Sequence, residues 1–73
     1  MELIPVNSTR IKKVGYDPNT QDMVIEFTRG GRYIYHNVEP MIHQMLMAAE
    51  SIGKFFEQHI NKNPNIKYEK LED

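Results

Sequence analysis

Met23-Val24-Ile25-Glu26-Phe27-Thr28-Arg29-Gly30-Gly31-Arg32-Tyr33-Ile34-Tyr35 is the stretch that decides the fold. Met23, Ile25 and Phe27 alternate with Val24, Glu26 and Thr28, the period of two expected of a strand with one buried face. Gly30-Gly31 supplies the positive φ of a tight hairpin, and Tyr33-Ile34-Tyr35 resumes β-favouring residues. Which face carries the tyrosines depends on the loop. With a two-residue loop at Gly30-Gly31, Thr28 opposes Tyr33 and Glu26 opposes Tyr35, so the rings share the polar face. With a loop of Arg29-Gly30-Gly31, Phe27 opposes Tyr33 and Ile25 opposes Tyr35, and the rings join the core. The sequence leaves both registers open.

Upstream, Ile11, Val14 and Tyr16 mark an earlier strand. Their spacing of three and then two breaks strict alternation, which predicts a bulge near Lys12-Lys13. Asn7-Ser8-Thr9 suits side-chain hydrogen bonding at the strand start, and Asp17-Pro18-Asn19-Thr20 ends the strand in a turn. Downstream, Pro40 fits a first helical position, with Glu39 or Asn37 as cap. Ile42, Met45, Leu46 and Ala49 then follow one helical face. Ser51 reads as a fresh N-cap, and Ile52, Phe56 and Ile60 continue at a spacing of four to about Asn61. Residues 61–65 are a breaker run, beyond which Ile66 to Leu71 form an extended arm or a frayed tail. The reading is an α+β domain over residues 1–61, a three-stranded antiparallel β-meander followed by two helices packed on one face, with residues 62–73 as a C-terminal arm.

Seventy-three residues fit one domain, and a chain this short removes only about 60–65% of its unfolded surface from water. That leaves little room for a deep, dry catalytic pocket. The absence of cysteine excludes disulfides and thiolate metal sites. Met1-Glu2-Leu3-Ile4-Pro5 lacks the apolar run of a signal peptide or membrane span, so a cytoplasmic location is expected. With a net charge of −1, any nucleic-acid site must be a local patch.

Two constellations make such a patch. Arg10, Lys12, Lys13, Arg29 and Arg32 should converge, because the start of the first strand lies beside the end of the second; the same residues equally describe a solvated edge guarded against aggregation. Tyr33 and Tyr35 share one strand face, where they serve either as stacking platforms for bases or as core rings. His36, His43 and His59 do not form a ligand set, and no serine, histidine and carboxylate spacing supports nucleophilic catalysis. Gly30-Gly31 lacks the lysine and helix of a phosphate loop. Met45 belongs to the predicted buried stripe, whereas Met47 falls off it and is either an exposed apolar spot for a protein partner or partly covered by the tail or by neighbouring helix residues.

Ser8-Thr9 with Ile11, Gly15-Tyr16-Asp17, Met23-x-Ile25-x-Phe27, Gly30, Tyr33-x-Tyr35, Val38 and Ala49-x-Ser51-x-Gly53-x-x-Phe56 with Ile60 together resemble the KTSC family. That family is named for a domain at the C-terminus of some lysyl-tRNA synthetases and also occurs as stand-alone bacterial proteins. The resemblance runs without gaps from Val6 to Ile60. The chain departs from it at Glu39, where the family usually has proline directly after the valine, and at Glu57, where it usually has asparagine. The tRNA synthetase association implies RNA binding by analogy.

The functional expectation is a non-enzymatic module that binds RNA weakly. Arg10, Lys12, Lys13, Arg29 and Arg32 would meet phosphates, and Tyr33 and Tyr35 would stack on bases. The alternative is a protein adaptor or small homo-oligomer using Met47 and the arm. Neither reading calls for a cofactor, a metal or a membrane.

Overall fold

Antiparallel pairing in the computed structural model, which describes residues 1–72, runs through five strands instead of the expected three. Strands β1 (Ile4–Pro5), β2 (Ile11–Asp17), β3 (Asp22–Phe27), β4 (Arg32–His36) and β5 (Lys67–Glu72) lie side by side in chain order. Helices α1 (Pro40–Ala48) and α2 (Ile52–Phe56) connect β4 to β5, and α2 runs on into a π-helical stretch, Glu57–Asn61. The class is α+β, with two helices and an antiparallel sheet. The two added strands are the N-terminal segment and the arm, which docks against β4.

The hairpin loop is three residues long but begins one residue earlier than expected, at Thr28-Arg29-Gly30. Phe27 N donates to Gly31 O at 3.1 Å, and Gly30 N donates to Phe27 O at 3.0 Å. Gly30 (φ 103°) and Gly31 (φ 89°) occupy backbone space that side chains disfavour. Ile25 therefore faces Tyr33, and Met23 faces Tyr35. The partners differ by two positions from the Arg29-Gly30-Gly31 register, so the parity is unchanged and the rings lie on the core side.

The bulge falls between Ile11 and Lys13, as the spacing predicts, and it lets Ile11 and Val14 both turn inward. Ser8 Oγ accepts from the amides of Arg10 and Ile11, and Asp17 Oδ1 accepts from Asn19 N, fixing the two ends of β2. On the other face, Gly15 makes room for the N-terminal segment. A Cβ there would lie 2.6 Å from the Leu3 side chain and 3.1 Å from Glu2 O.

Ser51 caps α2 as expected, its Oγ accepting from Lys54 N, and Ile52, Phe56 and Ile60 are buried. The predicted capping of α1 is not realised. Glu39 stands at the N-cap without a side-chain bond, and the Asn37 amide donates to Asn65 O. The apolar stripe of α1 is also rotated from its predicted position. His43 stacks on Tyr16 with ring centroids 4.2 Å apart, which turns the 43/47 row inward beside 42/46. Met47 then packs against the core, the covered one of its two readings, whereas Met45, expected in the buried stripe, is 51% exposed.

His36 ties three strands together. Its Nδ1 lies 2.7 Å from Asp22 Oδ1 on β3, and its Nε2 lies 3.2 Å from Glu69 Oε2 on β5. These hydrogen bonds, to Asp22 first and then Glu69, hold the His36 pKa above its ordinary 6.5. The bond from His36 holds Asp22 below its ordinary 3.8.

Ile25 is fully buried, so Ile25→Ala should cost about 2–5 kcal/mol in urea unfolding. Met45→Ala should change stability by less than about 0.5 kcal/mol; equal effects would contradict the observed helix rotation. The charged His36 contributes fully below its ordinary 6.5 and is lost as pH rises through the raised value, whereas Asp22 contributes above 3.8 and is lost as pH falls. Thermal melts should therefore peak between those values, and His36→Gln should remove the decline on the alkaline side. Parallel pH profiles for the two proteins would refute the latch.

Candidate nucleic-acid interface

An open cleft of about 770 Å³ lies on the helix side of the sheet, between the β3–β4 loop, β5 and the end of α2. Its floor is a chain of aromatic rings built by the strand pairing. Phe27 meets both Tyr33 and Phe56 edge-on at 5.6 Å, and Tyr35 meets Phe56 edge-on at 5.4 Å. Tyr68 extends this floor from β5, lying 6.0 Å from Tyr33 and 5.6 Å from Tyr35. Such offset and edge contacts suit the ring quadrupoles and make the floor stiff.

The three tyrosines present different groups. Tyr35 is 3% exposed and belongs to the core, Tyr33 is partly buried, and Tyr68 is 57% exposed. Burial, with Tyr33, Tyr68 and Glu57 nearby, pushes the Tyr35 phenol well above its ordinary 10, so it stays a neutral donor. Its hydroxyl has no hydrogen-bond partner among the described residues and is not sealed from solvent.

The predicted basic residues are brought together only in part. Thr28 N donates to Arg10 O at 3.0 Å, so the start of β2 does lie beside the end of β3. Arg10 and Arg29 stand on the rim of the cleft. Arg29, at the exposed loop tip, makes no hydrogen bond or ion pair among the described residues. Arg10 reaches Glu57 Oε2 at 3.3 Å. Lys12, Lys13 and Arg32 instead gather around Glu26: Arg32 Nε donates to Glu26 Oε1 at 2.8 Å, Lys12 Nζ lies 3.7 Å from Oε2, and Lys13 is the cross-strand partner. The Arg32 bond, with the three positive charges, holds the Glu26 carboxyl below its usual range. Glu26 and Arg32 lie on the face opposite Tyr33 and Tyr35, because one residue along a strand reverses the side chain.

The geometry thus divides the seven predicted residues. Arg10, Arg29, Tyr33 and Tyr35 share the cleft, whereas Lys12, Lys13 and Arg32 gather around Glu26 elsewhere. The sequence reading missed Tyr68, Glu57 and Asn61, all of which line the cleft. Ile66-x-Tyr68, two apolar residues at a spacing of two beyond the breaker run, was the available sign that the arm pairs as a strand. The histidines lie apart: His36 sits between Asp22 and Glu69, His43 on Tyr16, and His59 against Phe55. Burial lowers the His43 pKa. Among the described residues, no group of three or more His, Asp or Glu could hold a metal, and no helix is long and apolar enough to cross a membrane.

The KTSC domain matches residues 7–63 of this chain. A protein of Tsukamurella paurometabola is 45% identical over 51 residues, covering 70% of this chain and 76% of the relative. An uncharacterized protein of Stutzerimonas stutzeri is 36% identical over 58 residues, covering 80% and 82%. The crystal structure of a KTSC domain protein from Yersinia pestis superposes with a TM-score of 0.90 at 36% identity, covering 96% of each chain. That agreement extends over nearly the whole chain, whereas the sequence resemblance reached only Ile60.

Proposed function

The chain belongs to the KTSC family, and we propose that it is a non-enzymatic cytoplasmic module that binds single-stranded RNA weakly in the tyrosine cleft. The observation that carries this reading is the convergence of Tyr33, Tyr35 and Tyr68 with Arg10 and Arg29 around one opening. An aromatic floor accepts a flat base whatever its sequence, at about 1–3 kcal/mol per stacked base. Arginines on the rim can hold the flanking phosphates through planar, bidentate hydrogen bonds. The cleft volume lies within the range of about 300–1,000 Å³ typical of small-ligand sites, enough for one or two nucleotides. The association of KTSC domains with lysyl-tRNA synthetases supports the same reading by analogy. Two phosphate contacts provide little electrostatic affinity, hence the weak binding.

A second reading, self-association, is favoured by one observation. β5 is the longer of the two edge strands, at six residues, and Leu71 on it is 53% exposed. The premise of an exposed Met47 is gone, so this reading now rests on the strand edge. Lysines and glutamates along that edge weaken it, since charges there discourage pairing. Sedimentation of a clean monomer at high concentration would remove it.

Anisotropy of a labelled single-stranded RNA heptamer at low salt should report saturable binding, with log K falling against log salt at a slope near −1.4, about 0.7 for each of two phosphates. Arg29→Glu should weaken binding and flatten that slope. Tyr33→Ala should cost about 1–3 kcal/mol of binding. Lys13→Glu, on the other face, should matter far less than Arg29→Glu. No change in anisotropy or in the amide signals around Arg29 to Tyr35 at low salt would eliminate the proposal.

A further inference from the structure

We infer that the cleft selects guanine, read through the acceptor atoms of Glu57 and Asn61; this refinement rests on the RNA reading above. The two side chains lie four residues apart in the π-helical stretch and both line the cleft beside the aromatic floor. Single-turn π-helical segments are frequent at functional sites, where they re-aim side chains.

The hydrogen bonds in hand define what these groups can still do. Asn61 Nδ2 donates to Glu57 Oε2 at 3.1 Å, and Arg10 donates to the same oxygen at 3.3 Å. Glu57 Oε2 is thereby satisfied, and the Asn61 amide is oriented with its nitrogen toward the carboxylate. Glu57 Oε1 and Asn61 Oδ1 keep no partner among the described residues. Both are acceptors, so this wall of the cleft calls for a ligand edge made of donors.

Among the four RNA bases only guanine has such an edge. Its N1–H and N2 amine are adjacent donors, so Glu57 Oε1 can accept from one with a charge-assisted bond and Asn61 Oδ1 from the other. Adenine and cytosine set a single amine beside a ring nitrogen that is itself an acceptor. Uracil offers one N–H between two carbonyls. Each of these would bring a lone pair against the carboxylate, and a mismatched polar contact costs more than an absent one. The donor of the Tyr35 hydroxyl, unpartnered among the described residues, complements the carbonyl oxygen that flanks N1 of guanine.

The test uses the full chain and labelled heptamers of uridine carrying a single central guanosine, inosine, adenosine or cytidine, beside the all-uridine strand, in low-salt anisotropy titrations. The guanosine strand should bind at least tenfold more tightly than the others. Inosine lacks only the N2 amine and should lose most of that advantage. Glu57→Gln replaces one acceptor with a donor, so it should reduce the guanosine preference, measured as the ratio to the all-uridine strand with the same variant, to within twofold. A melting curve matching wild type would show that the variant is folded. Equal binding of all five strands, or an undiminished preference in Glu57→Gln or with inosine, would overturn the guanine assignment while leaving RNA binding standing. Failure of every strand to bind would remove both.

Discussion

The register of the β3–β4 hairpin is the constraint on which the rest of the molecule depends. Pairing Ile25 with Tyr33 and Met23 with Tyr35 gathers the largest apolar side chains of both strands on the side that the helices cover. A slip of one residue would send Tyr33 and Tyr35 to the face that holds Glu26 and Arg32. Opposite each other on that second face, Glu26 and Arg32 pair at 2.8 Å in the observed register alone. Glu26 is largely covered and Arg32 half-exposed, and a pair so close to the surface adds little stability by itself, so its contribution is better understood as penalising the slipped alignment. Gly30 and Gly31 complete the specification, since their positive φ values let the three-residue loop close without strain.

From this register the other elements follow by burial. Tyr35 lies against Phe56, so α2 must cross β4, and its cap at Ser51 determines where that crossing begins. On the neighbouring side Tyr16 anchors α1 by stacking on His43 and donating from its hydroxyl to Val38 O at 2.6 Å. β5 then returns to the free edge of β4, satisfying backbone groups that would otherwise face water. It is joined there by ring contacts from Tyr68 and by the His36 bridge to Glu69.

What the sequence disclosed is local, and what it withheld is long-range. Alternation in β3, the odd spacing that forces a bulge at Lys12, the proline at the start of α1 and the serine before α2 each act through neighbouring backbone, so each could be read directly. β1 could not, because two residues carry no period; only Gly15, thirteen residues along the numbering from Glu2, permits that close approach. β5 is mostly charged, with Tyr68 and Leu71 three residues apart, so it carries no period of two, and its pairing depends on β4 presenting an edge. The rotation of α1 came from a Tyr16–His43 stack between distant segments, which is why Met45 is exposed while Met47 packs inward. Half the candidate site was legible for the same reason. Arg10, Arg29 and the tyrosines follow from the hairpin, whereas Tyr68, Glu57 and Asn61 reach the cleft only through tertiary packing.

The cleft itself follows from a mismatch of areas. Five strands at about 4.8 Å spacing make a sheet about 24 Å across, a width that two helices of about 10–12 Å barely span, so the shortfall lies in their length. Neither helix is long, since α1 has nine residues and α2 five before its π-helical extension. Part of the inner face beside β4 and β5 must therefore remain uncovered. An apolar surface left there would favour aggregation. Tyrosine resolves the conflict because its ring packs against the core while its hydroxyl tolerates water. Three tyrosines occupy that margin, graded from the buried Tyr35 through Tyr33 to the exposed Tyr68. A surface that must be apolar enough to seal the core and polar enough to stay wet is chemically suited to a flat, amphipathic ligand. Structural necessity and the capacity to bind a base thus reside in the same rings.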